Sequence, residues 1–206
     1  MLKELASRCC FIVLFFCSLA VSATEQRILV YGDSLSASFG IAVSQGWPAL
    51  LGQRLQSSGS PLTVTNASIS GETTAGGRAR FAAVLSQFKP AVVILALGAN
   101  DGLRGLPVAE MKSNLAFMVA LAKKHRARVL LVGMHLPPNY GPRYTQEFDT
   151  AFRDLAKREK VALLPFLLEP IALDQSAYQA DGLHPTAAAQ PKILDHVWKA
   201  LKPLLT

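Results

Sequence analysis

The stretch "ILVYGDSLSASFG", residues 28–40, joins an apolar run to a turn that carries an acid and a hydroxyl. Consecutive apolar residues are typical of a strand buried on both faces of a parallel sheet. Asp33 and Ser34 then stand where that strand ends. Ser34 is either a helix cap or a nucleophile, and a serine nucleophile needs a base supplied by another part of the chain.

The rest of the chain alternates between short apolar segments and longer helical ones. We predict strands at 27–31, 62–66, 92–97, 129–133 and 161–164. We predict helices at 46–57, 74–87, 107–126, 146–159 and 186–204, the last with a bend or break near Pro191. Two loops, 102–107 and 135–144, are rich in Gly and Pro.

This alternation predicts a doubly wound α/β fold, in which helices cover both faces of a five-stranded parallel sheet. The expected architecture is a flavodoxin-like three-layer α/β/α sandwich. Ligands of such sheets bind beyond the carboxyl ends of the strands. Polar residues at those ends are therefore candidates for a functional site.

Three strand ends carry such residues: Ser34, Gly71 in "NASISGETT" (66–74), and Asn100 with Asp101 in "LGANDG" (97–102). Each also has a structural alternative. Gly71 is suited to a turn with positive φ, and Asn100 and Asp101 are suited to hydrogen bonds with their own loop backbone. Taken singly, none of these residues indicates catalysis.

A fourth loop, "DGLHP" (181–185), places Asp181 and His184 just before the last helix. An imidazole can take the proton of a serine hydroxyl, and a carboxylate on its other nitrogen fixes its tautomer. The backbone N–H groups of Ser34 and Gly71 and the side-chain amide of Asn100 can then stabilise an oxyanion. His184 could instead be a surface residue, and a metal site at Asp181 and His184 lacks further ligands at a recognisable spacing.

The blocks "GDSLS", "GETT", "GAND" and "DGLHP" together resemble the four blocks of the SGNH/GDSL hydrolase family, over nearly the whole chain after residue 28. The resemblance implies Ser34 as nucleophile, His184 as base and Asp181 as its orienting acid. It also implies an oxyanion hole made by Ser34, Gly71 and Asn100. Ser36 stands where Gly-x-Ser-x-Gly esterases have their second glycine, so we expect a less strained turn.

The segment "LPPNYGPRYTQEF" (136–148) is similar to the periplasmic subgroup with thioesterase I, lysophospholipase and arylesterase activities. That similarity implies a mobile loop beside an acyl-binding groove, although a purely structural connection is the alternative. Of the other histidines, His135 is the only rival base, since it follows the fourth strand but has no carboxylate nearby in sequence. His125 and His196 fall at a basic helix end and inside the last helix.

The N-terminus predicts export. A basic start, the uncharged run 11–21 and small residues at 21–23 are typical of a signal peptide cleaved after Ala23, with an uncleaved anchor as the alternative. Removing 23 of 206 residues leaves 183, which suits one domain at 24–206. It also removes all three cysteines, so the mature chain has no disulfide or thiolate chemistry.

The mature chain keeps 19 of 21 Lys and Arg and 13 of 14 Asp and Glu, a net charge of +6. Its basic clusters, such as 123–126, are typical of solvated helix faces, and attraction to anionic lipid or acidic substrates is the alternative. No aromatic-basic pattern indicates a nucleic-acid partner. We expect a monomer that makes at most peripheral membrane contact.

The sequence therefore predicts an exported serine esterase acting on acyl esters or thioesters, lysophospholipids among them, without a metal or cofactor. A carbohydrate O-acetyl esterase with the same triad is one alternative. A binding module without chemistry is another, because fold alone does not define function.

Overall fold

A parallel sheet of five strands in the order β2-β1-β3-β4-β5 lies at the centre of the computed structural model, which describes residues 26–205. The strand bounds are β1 Arg27–Gly32, β2 Thr63–Asn66, β3 Val92–Ala96, β4 Arg128–Val132 and β5 Ala162–Leu164. Every pairing is parallel. The strands predicted from sequence are confirmed to within one residue at each end.

Successive residues of the strands pack on opposite faces of the sheet. In β1, Ile28 and Val30 belong to one buried cluster, and Leu29 and Tyr31 belong to the other. All four are fully buried. The consecutive apolar run therefore reflects two cores, one on each face, as expected for a doubly wound sheet.

Seven α-helices complete the domain: α1 Ser34–Ala37, α2 Trp47–Ser57, α3 Thr74–Phe88, α4 Ala99–Leu103, α5 Val108–Lys124, α6 Pro142–Glu159 and α7 Gln190–Leu201, within residues 26–205. Side chains of α2 and α7 fill one core, and side chains of α3, α5 and α6 fill the other. The predicted three-layer α/β/α sandwich is confirmed.

Two helices start more than one residue away from the predicted position. The final helix does not run continuously from 186 with a break at Pro191, because a 3₁₀ turn at Ala187–Ala189 precedes α7 and Pro191 lies in its first turn. Helix α6 begins at Pro142 rather than at 146. The reason is the same in both cases: proline lacks the N–H that the first turn leaves unpaired, so it starts a helix well.

The short helices α1 and α4 were not predicted. Each has five residues or fewer, and each begins within three residues of a strand end. A single turn is too short to show a 3.6-residue hydrophobic period. Both nevertheless matter for the site, since they carry Ser34 and Asn100.

The expected signal peptide at 1–23 lies outside the described residues and stays a prediction. Between residues 26 and 205, no helix is both long enough and apolar enough to span a bilayer. The basic cluster at 123–126 is exposed to solvent, as the sequence indicates.

Candidate active site

Ser34 is the first residue of α1, immediately beyond the carboxyl end of β1. Its N-cap is Asp33, whose Oδ1 accepts a hydrogen bond from the Leu35 N–H at 3.1 Å. The capping alternative for Ser34 is therefore wrong, because the preceding aspartate fills that role. Ser34 is not among the described residues with positive φ, in keeping with the expected less strained turn.

The close fit between Gly32 and Ser36 explains the glycine before Asp33. A Cβ at Gly32 would lie 2.8 Å from both the Ser36 hydroxyl and the Ala96 carbonyl. Any side chain there would push α1 away from the sheet. The Asn66 side chain also donates to the Ser36 carbonyl at 2.7 Å, so α1 is held by two neighbouring strands.

The loop before α7 brings His184 to Ser34 across 150 residues of sequence. The Ser34 hydroxyl lies 2.9 Å from His184 Nε2, and His184 Nδ1 lies 2.7 Å from Asp181 Oδ2. Asp181 Oδ1 accepts from the backbone N–H groups of Leu183 and His184 at 2.9 and 3.0 Å. A hydroxyl, an imidazole and a carboxylate are thus aligned as proton transfer requires.

These hydrogen bonds also determine the charge of Asp181. The two backbone N–H groups and the imidazole of His184 lower its pKa to about 2. Asp181 is therefore a carboxylate at any pH near neutrality, so the imidazole proton stays on Nδ1 and the Nε2 lone pair faces Ser34. The ring of Phe39 packs against His184 with 4.4 Å between ring centroids.

Gly71 and Asn100 line the same pocket as Ser34. Gly71 has φ of +77°, which confirms the turn conformation expected of it, and its carbonyl accepts from Arg104 at 2.9 Å. The Asn100 amide donates one hydrogen to the Glu72 carbonyl at 3.1 Å, so its second hydrogen remains available. No described residue accepts a hydrogen bond from the N–H of Ser34 or of Gly71.

Asp101 does not bond its own loop, contrary to the sequence expectation. Its carboxylate accepts from the N–H and the hydroxyl of Thr74 at 2.8 and 2.5 Å. Both residues are buried. This contact ties the first turn of α3 to α4, and so fixes the loop with Gly71 relative to Asn100.

Asp33 lies beneath the site with its side chain buried. Burial raises its pKa to about 6, against the opposing effects of the Leu35 N–H and of His184. The ionised form of Asp33 is thus disfavoured by desolvation but is attracted to positive charge on His184. Sequence reasoning assigned Asp33 no role beyond the turn.

These residues open into one cavity of about 800 Å³ at the carboxyl edge of the sheet. All five site residues predicted from sequence lie on its wall or in direct contact with it: Ser34, Gly71, Asn100, His184 and, through His184, Asp181. Beyond the triad the wall is largely apolar, with Met134, Leu136, Phe166 and Leu168. Within residues 26–205, no three His, Cys, Asp or Glu side chains are grouped to hold a metal ion.

His135 lies on the same cavity wall, at the start of the loop after β4. No carboxylate lies near His135 in sequence, but the packing of α6 places Asp149 Oδ2 2.8 Å from its Nδ1. His184 is nevertheless the histidine in contact with Ser34. The other two histidines lie elsewhere: His125 is exposed after α5, and His196 Nε2 contacts the Phe166 carbonyl at 3.0 Å.

Comparison with known proteins agrees with this architecture. Residues 30–190 match the GDSL-like lipase/acylhydrolase family. Esterase TesA of Pseudomonas aeruginosa is 52% identical over 187 residues, covering 91% of this chain and 93% of that protein. The thioesterase 1/protease 1/lysophospholipase L1 of Escherichia coli K12 is 42% identical over 184 residues, covering 89% and 87%.

Solved structures show the same fold. The psychrotrophic esterase EstA from a Pseudoalteromonas species, in a form inhibited by monoethylphosphonate, superposes with a TM-score of 0.84 at 39% identity, covering 88% of this chain and 99% of that one. The chain belongs to the GDSL-like lipase/acylhydrolase family, whose members in these comparisons are esterases and thioesterases. It is therefore an enzyme that acts on ester bonds.

Proposed function

We propose that this protein is an exported serine hydrolase that cleaves carboxylic esters and thioesters through an acyl-enzyme on Ser34. The observation that carries this proposal is the continuous contact from Ser34 Oγ to His184 Nε2 at 2.9 Å and from His184 Nδ1 to Asp181 at 2.7 Å. A serine hydroxyl becomes a useful nucleophile only beside such a base.

In the first half of the reaction, Ser34 Oγ attacks the acyl carbonyl while its proton passes to His184 Nε2. The imidazolium that forms is stabilised by the carboxylate of Asp181. His184 then gives the proton to the departing alcohol or thiol, and the acyl group remains on Ser34. Water reverses these roles in the second half, so the acid is released and the hydroxyl is restored.

The negative oxygen of each tetrahedral intermediate accepts hydrogen bonds from donors that have no acceptor among the described residues of the free protein. These are the N–H groups of Ser34 and Gly71 and the second amide hydrogen of Asn100. They are held in place before substrate binds, by α1, by Arg104 on the Gly71 carbonyl and by Glu72 on Asn100. Donors fixed in advance stabilise the developing charge without reorganising.

The cavity favours an acyl chain over a sugar as the group next to the reacting carbonyl. Its wall beyond the triad contains Met134, Leu136, Phe166 and Leu168. Burial of each methylene against such a wall contributes about 0.8 kcal/mol. A carbohydrate site would need several polar groups at matching positions, whereas the polar side chains Ser70, His135, Gln175, Tyr178 and Gln179 are outnumbered by apolar ones on this wall.

Export and assembly also belong to this proposal. The apolar run at 11–21 followed by small residues at 21–23 supports cleavage after Ala23 and delivery to the periplasm or the medium. The proposed triad is complete within one chain, so the reaction needs no residue from a second copy, and a monomer is part of the proposal. Substrates of the expected kinds include aryl esters, acyl thioesters and lysophospholipids.

A substrate panel tests the proposed function. The mature protein is assayed on p-nitrophenyl esters from acetate to palmitate, on acyl thioesters and on a lysophospholipid, beside Ser34→Ala. We expect kcat/KM to rise with chain length beyond acetate, and we expect Ser34→Ala to abolish turnover on every substrate. Ser57→Ala, in the last turn of α2, is the matched control and should keep full activity.

Two outcomes would argue against the proposal. Activity confined to acetyl esters would favour a carbohydrate O-acetyl esterase. Turnover that survives in Ser34→Ala would exclude Ser34 as the nucleophile.

A further inference from the structure

A second histidine–aspartate pair lies in the cavity wall and takes no part in the proposed reaction. His135 follows β4, and Asp149 lies on α6, with 2.8 Å between His135 Nδ1 and Asp149 Oδ2. The His135 ring also packs edge-on against Phe166, with 4.5 Å between ring centroids. The imidazole is therefore held from two sides.

The position of Asp149 fixes which nitrogen of His135 carries the proton. Two lone pairs 2.8 Å apart would repel each other, so the carboxylate favours a hydrogen on Nδ1. The other carboxylate oxygen, Oδ1, is buried and has no hydrogen-bond partner among the described residues. Loss of the imidazole would leave that carboxylate with no partner, which ties Asp149 to His135.

The remaining nitrogen, Nε2, makes no hydrogen bond to any described residue. The His135 side chain is 35% exposed. Its sequence neighbours Met134 and Leu136 and its ring partner Phe166 are apolar, whereas Gln175, Tyr178 and Gln179 are polar members of the same cavity wall. A polar atom in such a wall is unfavourable when an apolar chain covers it and no hydrogen bond replaces the water. The part of the wall next to His135 thus matches a mainly apolar chain that carries a polar group at the level of the imidazole.

We infer that His135 is a specificity-determining residue that accepts acyl chains bearing a hydroxyl group, and that Asp149 is the residue that positions it. This inference rests on the proposed function and names its substrate class. In the neutral ring, Nε2 accepts a hydrogen bond from the hydroxyl; in the charged ring, Nε2–H donates to the hydroxyl oxygen. A hydroxyl suits both states, whereas a carboxylate would suit only the charged one.

The test compares p-nitrophenyl octanoate with octanoates that carry one hydroxyl at successive carbons from the third to the eighth. The quantity measured is the ratio of kcat/KM for each hydroxylated ester to that for the unsubstituted one. At the best carbon, His135→Leu should lower this ratio by about tenfold, which is the size of one hydrogen bond in a largely apolar site. His125→Leu, the same change at an exposed histidine, should leave it unchanged.

Asp149→Ala tests the positioning role. It should lower the ratio at the same carbon, by less than His135→Leu does, because the ring is still present but no longer held. An equal loss of kcat/KM on all esters in His135→Leu would overturn the inference. An unchanged ratio in Asp149→Ala would overturn the positioning role. A gain in rate for esters with a terminal carboxylate, appearing only at acid pH, would show that the wall recognises an anion instead.

A binding measurement separates this inference from the proposed function. Ser34→Ala is titrated with octanoate and with the best hydroxyoctanoate by calorimetry, with and without His135→Leu. We expect tighter binding of the hydroxylated acid, by about tenfold, only where His135 is present. That result does not depend on turnover. If the wild-type protein had no esterase activity but hydroxyl-selective binding were still observed, the proposed hydrolase function would be wrong and this inference would stand. Equal affinities for the two acids in every variant would contradict the inference that His135 recognises a hydroxyl group.

Discussion

Asp33 carries a buried carboxyl group. Replacing it by asparagine should raise the free energy of unfolding relative to the wild type, and this gain should be larger at pH 8 than at pH 4. Burial raises the pKa of Asp33 to about 6 from 3.8. Ionisation in the folded state is therefore disfavoured. The cost is negligible well below pH 3.8, grows as pH rises and is complete well above pH 6. Asparagine keeps the oxygen that accepts from the Leu35 N–H but cannot ionise.

The magnitude follows from the shift. About two pKa units correspond to about 3 kcal/mol above pH 6. Roughly half a kcal/mol of this cost is already present at pH 4, because the unfolded carboxyl is then partly ionised. We therefore expect the stability difference between Asp33→Asn and wild type to change by about 2–3 kcal/mol, in favour of the variant, from pH 4 to pH 8.

Urea unfolding of both proteins at pH 4 and pH 8, followed by circular dichroism, measures how the stability difference between variant and wild type changes with pH. This change is called the double difference. Any pH-independent cost of burying the new amide cancels between the two pH values. Asp195→Asn, at an exposed carboxylate paired with Arg54, is the matched control and should show no comparable change. A double difference near zero, or of opposite sign, would refute the reasoning that desolvation dominates at Asp33.

Four further changes probe the site. Asn100→Ala should lower kcat by roughly 10²–10³ through loss of one oxyanion donor, and a loss near twofold in steady-state assays would exclude that role. Asp181→Asn should keep the far-UV circular dichroism spectrum and lower kcat by several orders of magnitude. The pKa of the wild-type Asp181 carboxyl is about 2, so this carboxylate stabilises the folded state above pH 4, and the stabilisation is lost as pH falls toward 2. Gly71→Ala should cost about 1–2 kcal/mol in urea unfolding because φ is +77°, and an unchanged midpoint would contradict that strain. Asp101→Ala should cost about 1–3 kcal/mol because it leaves the buried hydroxyl and N–H of Thr74 without their acceptor, and an unaltered unfolding curve would argue that this contact is dispensable.

The strands and the site edge were predictable because their signals are local. Consecutive apolar residues such as Ile28 and Leu29 mark a strand between two cores, and parallel strands bring their carboxyl ends to one edge. Ser34 and His184 could thus be placed together although 150 residues separate them. Four short blocks, each at a strand end or before the last helix, were enough to predict which side chains the structure brings together at the cavity.

The features that the sequence did not predict are contacts between side chains on different secondary-structure elements, which depend on how those elements pack. Asp149 lies 14 residues from His135 and was assigned to a different element, so only the packing of α6 on the sheet brings them to 2.8 Å. Asp101 bonds to Thr74 for a similar reason, since the start of α3 lies beside α4. Asp33 is buried where α1 packs against the end of β1, and a helix of one turn is too short to show a hydrophobic period in its sequence.

The chemistry proposed for Ser34 can be tested most directly by covalent trapping. The mature protein is treated with an ethyl p-nitrophenyl alkylphosphonate, and the adduct is located by peptide mass spectrometry. We expect one phosphonyl group per chain, on Ser34, with loss of esterase activity in proportion to labelling, and no adduct in Ser34→Ala. An adduct on another residue, or full activity in protein labelled on Ser34, would contradict the proposed mechanism.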